Sequence, residues 1–200
     1  MKAWLTRRKL KSLAKKITQM ERNRQNNPVS DILNKKEILM LYEMAKLYDK
    51  YQFHKKFPHA KEYALGCYKV AAALNDREAQ YIAGERLMEE GKFWDNLKNT
   101  FYASKTHARY AEETYKEAFV YLDAAETAGH PLAKRLKGLA YINGWGVEKN
   151  NDHGFSLVVE SIDQENAWDR ATKIFEAIGL NRPEFFSSIM SIRQSKGAKY

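Results

Sequence analysis

A chain of 200 residues with 44% apolar, 30% charged and 12% aromatic side chains suits one folded core or a short repeat array. No apolar run approaches the roughly 18 residues a membrane span requires, and the single cysteine, Cys67, excludes an internal disulfide. The net charge of +9 is concentrated at one end: residues 1–25 hold nine Lys/Arg and one acid, against 25 basic and 24 acidic side chains in the rest.

Residues 1–26 read as a basic amphipathic helical arm. Leu10, Leu13, Ala14, Ile17 and Met20 share one arc of a helical wheel, and Arg7, Arg8, Lys11, Lys15 and Arg22 occupy the opposite arc. No apolar run follows the basic residues, so a secretory signal is not expected. Three readings of the arm stay open. Its apolar arc docks on the body, or it orders on an acidic protein surface, or it meets an anionic membrane or nucleic acid. Trp4 would suit a membrane interface, but the apolar arc is narrow and contains no Phe.

Residues 27–34, which include Pro28, form a polar linker, and 35–200 form a helical domain. Ile38, Leu41, Ala45 and Tyr48 recur at three- and four-residue spacing, as do the apolar residues of 59–76, 77–91, 115–129 and 131–144. Pro58, Pro131 and Pro183 stand where helices should begin. Cys67 reads as a small buried apolar residue. A free thiol and no disulfide suit a reducing compartment, most simply the cytosol.

A repeat emerges from small residues. Ala64 and Ala118, Ala71 and Ala125, Ala79 and Ala133, and Gly84 and Gly138 are each 54 apart, and Gly154 follows Ala118 by 36. A period of 36 with an 18-residue insertion accounts for both spacings. The insertion, at about 92–112, carries Phe93, Trp94, Phe101, Tyr102 and Tyr110. Aromatics at this density serve either as interface anchors or as packing for an extended segment, and the second half also carries a helical pattern. Small residues at fixed places let neighbouring helix axes approach closely. Gly129 after "AAETA" suits a helix terminator, and Asn75 holds the equivalent place one unit earlier.

The pattern Ala133, Gly138, Tyr141, Gly144-Trp145-Gly146-Val147 and Asn150 resembles the Sel-like repeat family, relatives of the tetratricopeptide repeats. The resemblance covers roughly 59–91 and 115–160, with 133–168 the best-matching unit. Lys137 stands where the family usually has Leu, Leu87 replaces the usual Tyr, and Glu90 replaces the first loop glycine. The family resemblance implies an all-α, right-handed α-solenoid of antiparallel helix pairs. It also implies adaptor or scaffold work in protein assemblies, often bacterial secretion, envelope or signalling systems. Fold alone does not fix function.

"NGWGVEKN" also invites comparison with phosphate loops. Such loops need a strand feeding glycines into a helix N-terminus. Here the preceding segment is helical, no Gly-Lys-Ser/Thr follows, and Lys149 stands where a third dinucleotide-loop glycine would be. Gly144 and Gly146 are therefore expected to bend the chain between two antiparallel helices. His54, His59, His107, His130 and His153 lack the spacing of a metal-binding helix. Nor does the sequence contain a Gly-x-Ser-x-Gly motif or a Cys/His constellation. The expectation is a non-enzymatic interaction scaffold with no catalytic residue, metal, cofactor or small-molecule substrate. It would be cytoplasmic, with a peripheral place at the inner face of the membrane as a variant. Its partner would be a protein, including one with an acidic surface, with contacts through Arg7, Arg8, Lys11, Lys15, Trp94, Phe101 and Tyr102. The rival reading is a nucleic-acid-binding module acting through the arm.

Overall fold

The computed structural model describes residues 3–26, 31–98, 100 and 104–195. Among these residues the regular structure is entirely helical: α1 (Ala3–Asn26), α2 (Asp31–Lys50), α3 (Ala60–Ala73), α4 (Arg77–Lys98), α5 (Lys105–Thr127), α6 (Pro131–Asn143), α7 (Asn151–Gln164), α8 (Ala171–Ala177) and α9 (Pro183–Ser195), with a 3-10 turn at Trp168–Arg170. None of the described helices is long and apolar enough to cross a membrane. The chain divides into two compact units, Met1–Ala83 and Gly84–Tyr200.

In the first unit, successive helices run antiparallel. Thr6 and Lys9 of α1 meet Tyr51 and Glu43 respectively, and Tyr42 and Tyr48 of α2 meet Tyr68 and Tyr63 of α3. In each pair the contacting numbers rise on one helix as they fall on the other. Leu41, Met44 and Ala45 of α2 and Ala60, Ala64, Cys67, Tyr68 and Ala71 of α3 are buried. Burial and the nearby Asp49 push the Cys67 thiol up to about 11, so it remains protonated at neutral pH. Asp76 caps α4 by accepting from the Ala79 N–H at 2.7 Å, and the same oxygen accepts from the Tyr42 hydroxyl at 2.7 Å.

The second unit repeats the arrangement. Gly84 and Gly91 of α4 meet Leu122 and Tyr115 of α5, Phe119 of α5 meets Tyr141 of α6, and Ile142 of α6 meets Gly154 of α7. The tightest crossing joins α6 to α7. A Cβ added at Gly138 would lie 2.7 Å from the Gly154 carbonyl oxygen, and one at Gly154 would lie 2.6 Å from that of Gly138. Gly84 meets the equivalent small residue, Ala118, whose carbonyl lies 3.2 Å from where its Cβ would be. The same kind of crossing thus occurs twice, at positions 54 and 36 residues apart on the two partner helices. Leu139, Phe155, Val158, Ile162, Phe175, Leu180 and Ile189 form one buried cluster beyond it. Each such side chain contributes about 1.5–3 kcal/mol by leaving water.

Helix ends follow one device. Asn75, Gly129, Gly144, Asn166 and Gly179 all have positive φ. The residue after each donates its N–H five positions back, to Ala71, Ala125, Ala140, Ile162 and Phe175. This is the left-handed C-terminal cap that glycine and asparagine tolerate best.

Two spans of the sequence reading look different in three dimensions. Helix α2 already begins at Asp31, inside the stretch read as a linker. Helix α4 continues to Lys98 and α5 begins at Lys105, capped by Ser104, so much of 92–112 lengthens two helices. Glu90 stands where Gly144 ends α6, and Gly91 beside it stays helical, packed against the Tyr115 ring of α5. Lys137 bonds to Asp123 and lies 3.3 Å from Glu126 and 5.8 Å from the Phe119 ring. Burial opposes its charge, but the two carboxylates outweigh that and hold its pKa above the ordinary lysine value.

Candidate functional site

Helix α1 has two opposed faces. Thr6, Leu10, Leu13 and Ile17 are buried, and the Thr6 hydroxyl donates to the Tyr51 hydroxyl at 3.1 Å. Arg7 donates to the Lys56 carbonyl at 2.7 Å, with its guanidinium 5.4 Å from the Phe57 ring centre. Lys9 pairs with Glu43 at 2.5 Å. The arm is docked. The buried stripe is rotated from the arc drawn on sequence grounds: Ala14 is exposed, and Thr6 takes a buried place because its hydroxyl finds a partner.

Arg8, Lys11 and Lys15 lie exposed on the far side of α1, and none of the three has an acidic partner among the described residues. Trp4, 64% exposed, stands one turn before Arg8, whose guanidinium is 5.8 Å from the indole. Arg22 continues the stripe. The four residues proposed from the arm therefore separate: Arg7 is engaged with its own unit, and Arg8, Lys11 and Lys15 face outward.

In the second unit Trp94 stacks on His107 at 5.6 Å and lies 5.5 Å from Tyr110 and 5.2 Å from Phe93. It ties the end of α4 to the start of α5, while Phe93 and Tyr110 remain exposed. Phe101 and Tyr102 lie outside the described residues.

A second aromatic stack stands deeper. Tyr115 and Trp145 lie nearly parallel at 14°, with centres 5.4 Å apart, and the Lys92 ammonium is 4.8 Å from the Trp145 ring centre. Burial lowers the Lys92 pKa. Gly146 has a φ of +69°, and a Cβ there would collide with the Tyr115 backbone carbonyl. The glycine loop thus turns the chain and brings it against α5. Beside it is a groove of about 270 Å³ lined by Asp95, Glu112, Tyr115, Asn143, Gly144 and Trp145, with Ala108, Ala111 and Gly146 completing its wall. Tyr115 is 4% exposed, and its hydroxyl has no hydrogen-bond partner among the described residues. Burial, then the negative charge of Asp95, raises its pKa above the ordinary phenol value. Glu112 accepts from Lys116 at 2.6 Å, and that bond and charge hold its carboxyl below the usual range.

Sequence reasoning placed Trp145 in the turn between two helices and did not join it to Tyr115, Asp95 or Glu112. Only the antiparallel register of α4 and α5 brings these together. His130 is a helix cap, its Nδ1 accepting from the Ala133 N–H at 3.2 Å. Among the described residues, no three His, Cys, Asp or Glu side chains are grouped so as to hold a metal ion. A scan against protein-family models and a search of curated proteins both returned no match.

Proposed function

We propose that the chain is a non-catalytic interaction scaffold of Sel-like helical repeats, arranged as a right-handed α-solenoid, whose basic helix recognises an acidic protein surface. The recurrent small-residue crossings, Gly84 with Ala118 and Gly138 with Gly154, support the repeat reading. By family resemblance the setting is an intracellular bacterial assembly linked to secretion or the envelope. The observation that carries the functional reading is the stripe of Arg8, Lys11 and Lys15, exposed on a helix whose opposite face is docked. A docked helix offers those charges at fixed spacing, so little ordering entropy is lost on binding.

Exposed ion pairs contribute about 0.2–1 kcal/mol each, so three give roughly 0.6–3 kcal/mol, or about three- to 150-fold in affinity. Screening over about 8 Å at physiological salt makes that share salt-sensitive. The test is capture of partners from nuclease-treated extract by the wild type and by Arg8→Glu/Lys11→Glu/Lys15→Glu. The reading requires a defined acidic protein that binds the purified wild type directly, weakens at least tenfold with the triple variant, and elutes at about 0.5 M salt. Material that vanishes on nuclease treatment would favour nucleic acid instead.

A further inference from the structure

We propose that one end of the first unit docks on an anionic lipid surface, placing Phe53 and Trp4 in the interface with Lys55 and Lys56 beside them. This stands apart from the acidic-protein reading of α1 and does not depend on it. Between α2 and α3 the chain turns through residues 51–59. Tyr51 and Phe57 are buried there with ring centres 5.1 Å apart, and the His54 ring lies 5.6 Å from Tyr51 and 6.0 Å from Phe57. The His54 N–H donates to the Tyr51 carbonyl at 2.9 Å, the Phe57 N–H to the His54 carbonyl at 2.7 Å, and the Lys56 N–H to His54 Nδ1 at 3.1 Å. Arg7 of α1 donates to the Lys56 carbonyl at 2.7 Å. The turn is thus held from inside. Phe53, in its middle, points outward and is 94% exposed.

A ring left in water adds nothing to folding through burial, and a fixed turn presents it with little ordering entropy to lose. The grip of Arg7 on Lys56 and the Phe57 ring brings the first turns of α1 beside this turn. Trp4, exposed and about one helical turn before Arg7, therefore lies at the same end of the unit as Phe53. The narrow apolar arc of α1 has no Phe of its own, and the fold supplies one from another segment. Charge points the same way. Lys50, Lys55, Lys56 and Lys61 are exposed, none with an acidic partner among the described residues, and Arg8 stands 5.8 Å from the Trp4 indole. The sequence holds no acid before Glu21 and none between Asp49 and Glu62. Trp favours the boundary between headgroups and hydrocarbon, and Lys and Arg near it are drawn to anionic lipid. A bilayer interface yields around side chains projecting from separate elements, whereas a folded protein would need a hollow shaped for each. That difference favours lipid over an acidic protein at this end.

The experiment is flotation of the purified full chain with unilamellar vesicles of phosphatidylcholine alone or with about 30% phosphatidylglycerol. The anionic vesicles are expected to bind at least tenfold more tightly than the neutral ones, and about 0.5 M salt to release most of the chain. Phe53→Ala and Trp4→Ala should each weaken binding about three- to tenfold, and Lys55→Glu/Lys56→Glu at least tenfold. All three variants should keep the wild-type thermal midpoint, because the side chains changed are exposed. Brominated acyl chains should quench Trp4, read among the four tryptophans as the difference between the wild type and Trp4→Phe. No binding at either composition, equal binding of neutral vesicles, an unquenched Trp4, or indifference to both Phe53→Ala and the lysine pair would overturn the proposal. So would silent vesicles together with loss of a captured acidic protein in Phe53→Ala, which would assign this end to a protein. Flotation contains no partner protein, so its failure leaves the reading of α1 intact, and failure of protein capture leaves lipid docking intact.

Discussion

Replacing Gly138 by Ala places one methyl group where two helix backbones cross. The new Cβ would stand 2.7 Å from the Gly154 carbonyl oxygen, 3.0 Å from a Val158 methyl and 3.3 Å from the Leu157 Cβ. Ordinary contact begins near 3.4 Å, so α7 must retreat by roughly 0.7 Å, and no rotamer change can move a carbonyl. Overpacking of this kind costs about 1–3 kcal/mol, set against a gain of up to about 1 kcal/mol from Gly to Ala in a helix. The expected net loss is about 1–2 kcal/mol, or a fall of about 3–6 °C in the midpoint for a chain of this length. Gly66→Ala is the control: it lies in α3 with nothing within 4 Å of its added Cβ, so only the helical gain remains. Urea denaturation followed by far-UV ellipticity reads both. If Gly138→Ala is as stable as the wild type, or Gly66→Ala loses as much, the argument that small residues set the α6–α7 approach fails.

Gly146→Ala should be more damaging, at about 3 kcal/mol or more, because strain at positive φ adds to a backbone collision with Tyr115; thermal unfolding checks this. Leu13→Ala should cost about 2–4 kcal/mol, since Leu13 is only 6% exposed, whereas Arg8→Glu/Lys11→Glu/Lys15→Glu should shift the urea midpoint little. Alkaline pH provides a further check through Cys67, whose folded-state pKa rises from 9.0 to about 11. The folded thiol keeps its proton where the unfolded one has lost it, so this contribution to stability is present below pH 9 and disappears between 9 and 11. It amounts to at most about 2–3 kcal/mol. Stability measured across that range should fall less steeply in Cys67→Ala; parallel slopes would show that the thiol is not titrating against its burial.

Short-range chemistry carried most of the legible structure. Asn75 and Gly129 end helices as expected because the left-handed cap depends on one residue and its immediate neighbours. Pro131 opens α6 for the same kind of local reason. The small-residue spacings pointed to close helix approaches, and Gly138 and Gly154 do meet. Residues 92–112 were harder, because aromatic density does not distinguish a loop from the ends of two long helices. Thr6 escaped the apolar arc because burying a hydroxyl depends on Tyr51, 45 residues away. The groove was illegible for a related reason. Asp95, Tyr115 and Asn143 sit on three helices, and no spacing within one helix joins them.

The proposed function assigns the two faces of α1 two tasks, and they can be separated by placing a photoreactive side chain at Lys11 or at Ile17 and irradiating the protein in cells. The account predicts that position 11 joins a separate acidic protein, and that position 17 yields only products within the chain, to residues of its own unit. Capture of the partner from position 17, with position 11 silent or attached only to nucleic acid, would contradict it.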